Sequence, residues 1–240
     1  MLEVAQSLRE HVAWACRILA LEGYADLTLG HVSGRGAGQP TVLIKRKGVA
    51  LDEVTPEDVV PLDLDADQAD AGPEMHLEAV IHTEIYKLRP DVGAVVHGHP
   101  PYATALGATQ AGVEFLTHDA VLFPEGVSVF EETADLITAP EQARAVAQAL
   151  GSRRALLLAN HGVVAVGKDV PWAVLAAITL ERAVRIQSIA RTLGPLRSLS
   201  AASAKRLHSA KYQDEFVGEY WASWLRRVRR AGQADGMPAV

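Results

Sequence analysis

The stretch Val95-Val96-His97-Gly98-His99-Pro100-Pro101 restricts the fold of this chain more than any other segment. In a β-strand the side chains at i and i+2 leave the same face, so His97 and His99 aim at one shared point. An apolar run from Val92 to Val96 leads into them. Two prolines end the strand, because proline has no N–H to give to a ladder. An apolar strand that finishes in two imidazoles has the form of a metal site at the rim of a sheet.

A second segment repeats the construction. Ala155-Leu156-Leu157-Leu158-Ala159 is again an apolar run, and it ends in Asn160-His161-Gly162. Ligand sites in open α/β sheets lie at the carboxyl ends of the strands. A lone histidine in such a turn reads as a turn or helix-cap residue. Two strand-end placements together favour a ligand set of His97, His99 and His161, which leaves coordination positions open as catalytic metals require.

Composition fits an ordinary globular protein. The 240 residues are 49% hydrophobic and 22% charged, enough to bury a substantial core as one α/β domain. No repeat or linker divides residues 1–240, so a single domain is expected. The net charge of −6 gives no support to nucleic-acid binding. The single cysteine, Cys16, excludes an internal disulfide framework and suits a reducing compartment. Its place in an amphipathic stretch makes it a core residue. No apolar run reaches the roughly 18 uncharged residues of a membrane span, and the amino terminus lacks a basic-then-apolar leader pattern. A cytoplasmic protein with no membrane partner is expected.

Periodicity orders the remaining elements. Val4, Leu8, Val12, Ala15 and Leu19 mark a helix over 3–22, ended by Gly23. Leu27 to Ser33 and Thr41 to Lys45 read as strands of a hairpin around Gly34-Arg35-Gly36-Ala37-Gly38. That cluster has neither the spacing nor the following helix of a dinucleotide fingerprint. Thr55-Pro56-Glu57-Asp58 has capping-box form, and the acidic stretch from Asp63 to Gly72 reads as an exposed loop. Further helices are expected over Glu74 to Leu88, Pro101 to Ala108, Glu141 to Leu150 and Asp169 to Leu193, with a strand over Val163 to Val166. A last helix runs from about Ala201 to Arg229.

Carbon chemistry at a three-histidine site needs an acid or base, and Glu78 is the candidate. Glu74, Glu78 and His82 are spaced four apart, on one face of the expected helix. Leu77, Ala79, Val80 and Ile81 around Glu78 indicate partial burial, where a carboxylate needs a reason to be present.

Taken together, Glu78, Arg89-Pro90-Asp91-Val92, Ala94-Val95-Val96-His97-Gly98-His99 and Asn160-His161-Gly162 resemble the class II aldolase/adducin family. In that family a glutamate lies nineteen residues before the first paired histidine, as Glu78 does before His97. Gly30-His31-Val32-Ser33, Gly48 and Thr55-Pro56-Glu57-Asp58 also resemble family positions. The resemblance spans most of residues 5–195. It implies a three-layer α/β/α fold with a central mixed sheet and a homotetramer with sites between subunits. It also implies one divalent metal per chain, manganese or zinc first, with cobalt or iron also compatible.

Departures from the sugar-phosphate aldolases of the family set the expected activity. Their phosphate-handling asparagine, threonine and paired serines are replaced by His31, Lys47 and His76-Leu77. A cationic and imidazole lining of His31, Arg35, Lys45, Arg46, Lys47 and His76 suits a planar, multiply charged carboxylate. Proline after the second histidine is similar to the decarboxylase branch. The expected activity is decarboxylation of an ortho-hydroxy aromatic dicarboxylate, with Glu78 moving the proton. Cleavage of a sugar or sugar phosphate, with Lys47 as the phosphate anchor, is the alternative. His118 stands where those aldolases carry a tyrosine, and Tyr212 or Tyr220 is the counterpart of a second one. His31, Lys47, His76, His118 and Tyr212 are therefore the expected substrate contacts, and Phe123, Pro124 and Phe130 are candidates for an aromatic wall.

Overall fold

The computed structural model describes residues 2–24, 26–36, 42–65 and 72–238, with side chains from residue 7 onward. Helix α1 (Leu2–Leu19) passes into a π turn (Ala20–Tyr24) in which Gly23 adopts φ 97°. That left-handed conformation suits glycine and stops the helix. Strands β1 (His31–Arg35), β2 (Val42–Lys45) and β3 (Val59–Leu62) form an antiparallel meander. There follow α2 (Ala79–Leu88), β4 (Ala94–Gly98), α3 (Pro101–Gly107), β5 (Ser128–Phe130) and α4 (Pro140–Leu150). Strands β6 (Ala155–Leu158) and β7 (Gly162–Gly167) then precede α5 (Val170–Leu193), α6 (Ala201–Lys211) and α7 (Asp214–Arg230).

One mixed sheet of seven strands results, in the order β3-β2-β1-β4-β7-β6-β5. Among the described residues only β5 and β6 are parallel neighbours. The strands are apolar on both faces because helices cover both. Along β4, Ala94 and Val96 enter a core shared with α1, α3, α5 and α7, whereas Val95 enters one shared with α2 and α4. The same alternation runs along β6 and β7, as a two-residue period requires. His97 is therefore in phase with Val95 and emerges on the α2 side. Among the described residues no helix is long and apolar enough to cross a membrane.

Four sequence expectations need correction. Residues 27–29 form a turn with Leu27 at φ 49°, so the first strand begins at His31. The Glu74–Leu88 helix begins five residues late, at Ala79, with Glu78 as its N-cap. The Glu74 carbonyl instead accepts from the Lys47 N–H at 2.7 Å, which ties this segment to the end of β2 and removes Glu74 from the face of Glu78 and His82. The C-terminal helix is broken at Tyr212, whose hydroxyl is anchored on the His118 carbonyl. Asp214, on the far side of the break, accepts from the Trp172 indole at 2.8 Å. The short edge strands β3 and β5 went unrecognised. Pro61 obscured the former, and it is tolerated because among the described residues β3 has no neighbour on its outer side. Cys16 is buried, as expected. Part of the glycine-rich turn and most of the acidic 63–72 stretch lie outside the described residues.

Glu181 of α5 fixes the segment that follows the paired histidines. Its carboxylate accepts from the Tyr102 and Ala103 N–H groups at 3.0 and 2.8 Å, at the start of α3. Proline at the head of the helix leaves these donors without side-chain caps of their own. Glu181→Ala is expected to lower stability by about 1–2 kcal/mol, read as a shift in the urea midpoint at constant slope.

Candidate functional site

Sheet order brings the two histidine-bearing strand ends together. Strand β7 lies between β4 and β6 and is antiparallel to both, so β4 and β6 point the same way. His97 ends β4 and His99 follows it. His161 sits in the three-residue turn between the paired residues Leu158 and Gly162. Asn160 enables that turn at φ 56°, a conformation asparagine tolerates better than most residues. Gly162 is required by contact rather than by torsion, since a Cβ there would lie 2.6 Å from the His99 ring and 2.7 Å from the Gly98 carbonyl oxygen. Strand β1 is antiparallel to β4 with His31 opposite His97.

One nitrogen from each of His97, His99 and His161 lies within 4.8 Å of the others. Glu78, at the head of α2, presents Oε2 at 3.6 Å from His97 Nε2 and Oε1 at 3.5 Å from His161 Nε2. Both of those ring nitrogens are buried without a hydrogen-bond partner. Converging buried nitrogens left unpaired call for an occupant, and three imidazoles beside a carboxylate are a donor set that fits a divalent metal. Remote contacts aim two of the rings. His97 Nδ1 is 3.0 Å from the Val163 carbonyl, and His99 Nδ1 is 2.8 Å from Asp26 Oδ2. An Nδ1–H donated to such an oxygen leaves the Nε2 lone pair facing the cluster.

Glu78 is 8% exposed, and its Oε1 also accepts from the Ile137 N–H at 2.9 Å. Burial would raise its pKa, whereas the Ile137 N–H, and the His161 and His97 rings when they carry a proton toward it, hold the carboxyl below the usual range. It is ionised at neutral pH. His76 is pushed down to about 3 by burial and by the nearby Lys45 ammonium. Lys45 is itself buried, donating to the Thr28 carbonyl at 3.0 Å and lying 3.4 Å from His76 Nε2.

A cavity of about 370 Å³ opens on the cluster. His31, Lys47 and His76 line it together with Glu78, His99 and His161. Leu29, Leu77 and Leu136 supply an apolar side and are 52%, 55% and 57% exposed. His118 and Tyr212 do not line this cavity. The Tyr212 hydroxyl donates to the His118 carbonyl at 2.8 Å, and its ring lines a separate cavity with Arg182, Tyr220 and Trp224. Arg35 and Arg46 are also spent elsewhere, on the Val92 carbonyl at 2.6 Å and on Asp58 at 2.8 Å. Phe123 and Phe130 are buried in the two opposite cores, and Pro124 lines another cavity. They form no aromatic wall here.

Sequence reasoning missed Asp26, Leu136 and Ile137. Asp26 lies 73 residues from its partner His99, and no spacing rule links an aspartate in a turn to a histidine so distant. If Asp26 orients His99, Asp26→Ala is expected to weaken divalent-metal affinity about 10–100-fold, measured by competition with a fluorescent chelator.

Comparison with known proteins gives matches along most of the chain. The profile described as "Class II Aldolase and Adducin N-terminal domain" matches residues 10–188. Among individual relatives, the meiotically up-regulated gene 14 protein of Schizosaccharomyces pombe is 30% identical over 88% of this chain and 84% of its own length. The 3,4-dihydroxyphthalate decarboxylase of Arthrobacter keyseri is 34% identical over 72% of this chain and 74% of its own length. Among solved structures, an aldolase II superfamily protein from Pseudomonas syringae superposes with a TM-score of 0.84 at 26% identity, covering 96% of this chain and 95% of that one.

Proposed function

Since the chain belongs to the class II aldolase and adducin family, and its relatives include decarboxylases and aldolases, we propose that it is a metal-dependent decarboxylase of an ortho-hydroxy aromatic dicarboxylate. The composition of the cavity carries this reading. Leu29, Leu77 and Leu136 face a space that also contains Lys47, His31 and His76. A planar ring with charged groups along one edge satisfies both sides. A polyhydroxylated sugar would bury hydroxyls against leucine without partners. Similarity to a 3,4-dihydroxyphthalate decarboxylase supports the same class.

His97, His99 and His161 would hold one divalent ion, manganese or zinc, which when bound would supply Lewis acidity that lowers the pKa of a neighbouring hydroxyl and draws electron density from the ring. The other steps belong to protein groups. Lys47 and the imidazoles of His31 and His76 position the carboxylates, while the leucines exclude water from the ring face. Glu78, ionised at rest, takes the proton of the ring hydroxyl. It then returns that proton to the ring carbon bearing the departing carboxylate. The carbon–carbon bond breaks, its electron pair restores the aromatic ring, and carbon dioxide leaves. Water reprotonates the ring oxygen.

Carbon dioxide release from 3,4-dihydroxyphthalate by metal-reconstituted protein tests this reading. Release at a rate typical of an enzyme, on the order of 1 s⁻¹ or above, is the expected outcome. No release, with cleavage of a ketose 1-phosphate instead, would establish the aldolase alternative, with Lys47 as phosphate anchor. The family resemblance implies a homotetramer with sites between subunits, in which His118 and Tyr212, which do not line the cavity of their own chain, would serve the site of a neighbouring subunit. Sedimentation at the monomer mass would remove that role from both residues.

A further inference from the structure

A chain of four buried side chains runs from the α2 side of the sheet to the edge of the Glu78 cavity. The Tyr86 hydroxyl is 2.8 Å from Ser33 Oγ, and Ser33 Oγ is 2.6 Å from His82 Nδ1. His82 Nε2 is 2.7 Å from His31 Nδ1, and His31 lines the cavity. All four residues are at most 2% exposed. The proposed chemistry does not use Tyr86, Ser33 or His82.

Each link carries a single hydrogen, so the chain has two polarities. In one, His31 Nδ1–H donates to His82, His82 Nδ1–H to Ser33, and the Ser33 hydroxyl to Tyr86. The buried Tyr86 O–H would then have no acceptor, because Ser33 Oγ is its hydrogen-bond partner among the described residues. In the opposite polarity the phenol donates to Ser33, Ser33 donates to His82 Nδ1, and His82 Nε2–H donates to His31 Nδ1. Every hydrogen from Tyr86 to His82 then has an acceptor. A buried donor left unpaired is costly, and a neutral imidazole carries one N–H only. The second polarity therefore leaves the hydrogen of His31 on Nε2.

We propose that the Tyr86–Ser33–His82 chain fixes His31 as an Nε2–H donor, so that His31 reads a hydrogen-bond acceptor, a carboxylate or phenolate oxygen, on the substrate. The identity of the substrate rests on the reading given above, but the polarity of the chain does not. His82, Ser33 and Tyr86 are positioning residues, since none of them lines the cavity. The arrangement also selects against a ligand that presents a donor at the same place. A carboxamide that turns its NH₂ toward His31 meets N–H with N–H.

Long-range proton–nitrogen correlation spectra of the ¹⁵N-histidine-labelled protein test the chain directly, with His31→Asn and His82→Asn identifying the two rings by loss of their signals. Both rings are expected as the Nε2–H tautomer, and Nδ1–H at His31 would overturn the proposal. Tyr86→Phe leaves the Ser33 hydroxyl with His82 Nδ1 as its acceptor, so the wild-type tautomer is expected to persist there. Ser33→Ala removes the hydroxyl that donates to His82 Nδ1, so a mixture of tautomers at His31 is expected. An unchanged single tautomer in that variant would likewise overturn the proposal. With phthalate as a non-reacting probe, a competent fraction falling to about one half doubles the apparent Kd, measured by titration calorimetry. Failure of the wild type to bind phthalate, with the tautomers as expected, would remove the aromatic-dicarboxylate reading and leave the chain standing.

Discussion

Glu78→Gln is expected to lower turnover of the dicarboxylate by about 10²–10⁴-fold, the usual range for a positioned acid–base group. The expected KM change is small by comparison. Glutamine keeps the shape of the side chain, and its carbonyl oxygen can still accept from the Ile137 N–H that Glu78 Oε1 now holds at 2.9 Å. What it loses is proton-transfer capacity, together with the negative charge 3.5–3.6 Å from the His161 and His97 nitrogens. Steady-state rates should be taken beside metal analysis of the same sample. Near-wild-type turnover would remove Glu78 from the chemistry. Loss of turnover in step with loss of metal would make Glu78 a ligand, and its acid–base role would have to pass to another group.

His97→Ala is expected to abolish stoichiometric binding of the divalent ion and activity with it. The loss in affinity should exceed the roughly 10–100-fold expected of a group that only orients a ligand, such as Asp26. His97 is 1% exposed and sits between His31, Glu78 and the other two histidines. A ligand that binds only the folded state stabilises it by about 4 kcal/mol at a thousandfold excess over Kd. Wild-type protein should therefore gain Tm on addition of manganese or zinc and lose it again with a chelator, whereas the variant should show neither change. A variant that still binds one ion per chain with wild-type affinity would exclude His97 from the site.

The metal-ligand candidates and Glu78 were legible in the sequence because local rules placed them. An apolar run ending in His-Gly-His, and a second ending in Asn-His-Gly, mark strand ends by composition and period alone. The long helix over 170–193 was equally legible, with Asp169 as its cap and Gly194 beyond its end. Other features depended on competition between segments. The stretch 74–78 has helical spacing, yet the bond from the Lys47 N–H to the Glu74 carbonyl takes it out of the helix and leaves Glu78 at the N-cap. His82 reads as an i+4 partner of Glu78, but its bonds go to His31 and Ser33 across the sheet. Arg35 and Arg46 read as substrate contacts by charge and are held by a backbone carbonyl and by Asp58.

Sequence alone thus determined which side chains stand at the strand ends and at the head of α2, because strand period, turn chemistry and side-chain type act over a few neighbouring positions. Tertiary structure decided which of them meet and how they are aimed. Asp26 reaches His99, Ile137 reaches Glu78, and Tyr86 reaches His31 through Ser33 and His82. These contacts join segments far apart in the chain, and burial, rather than any local preference, requires every polar group within them to find a partner.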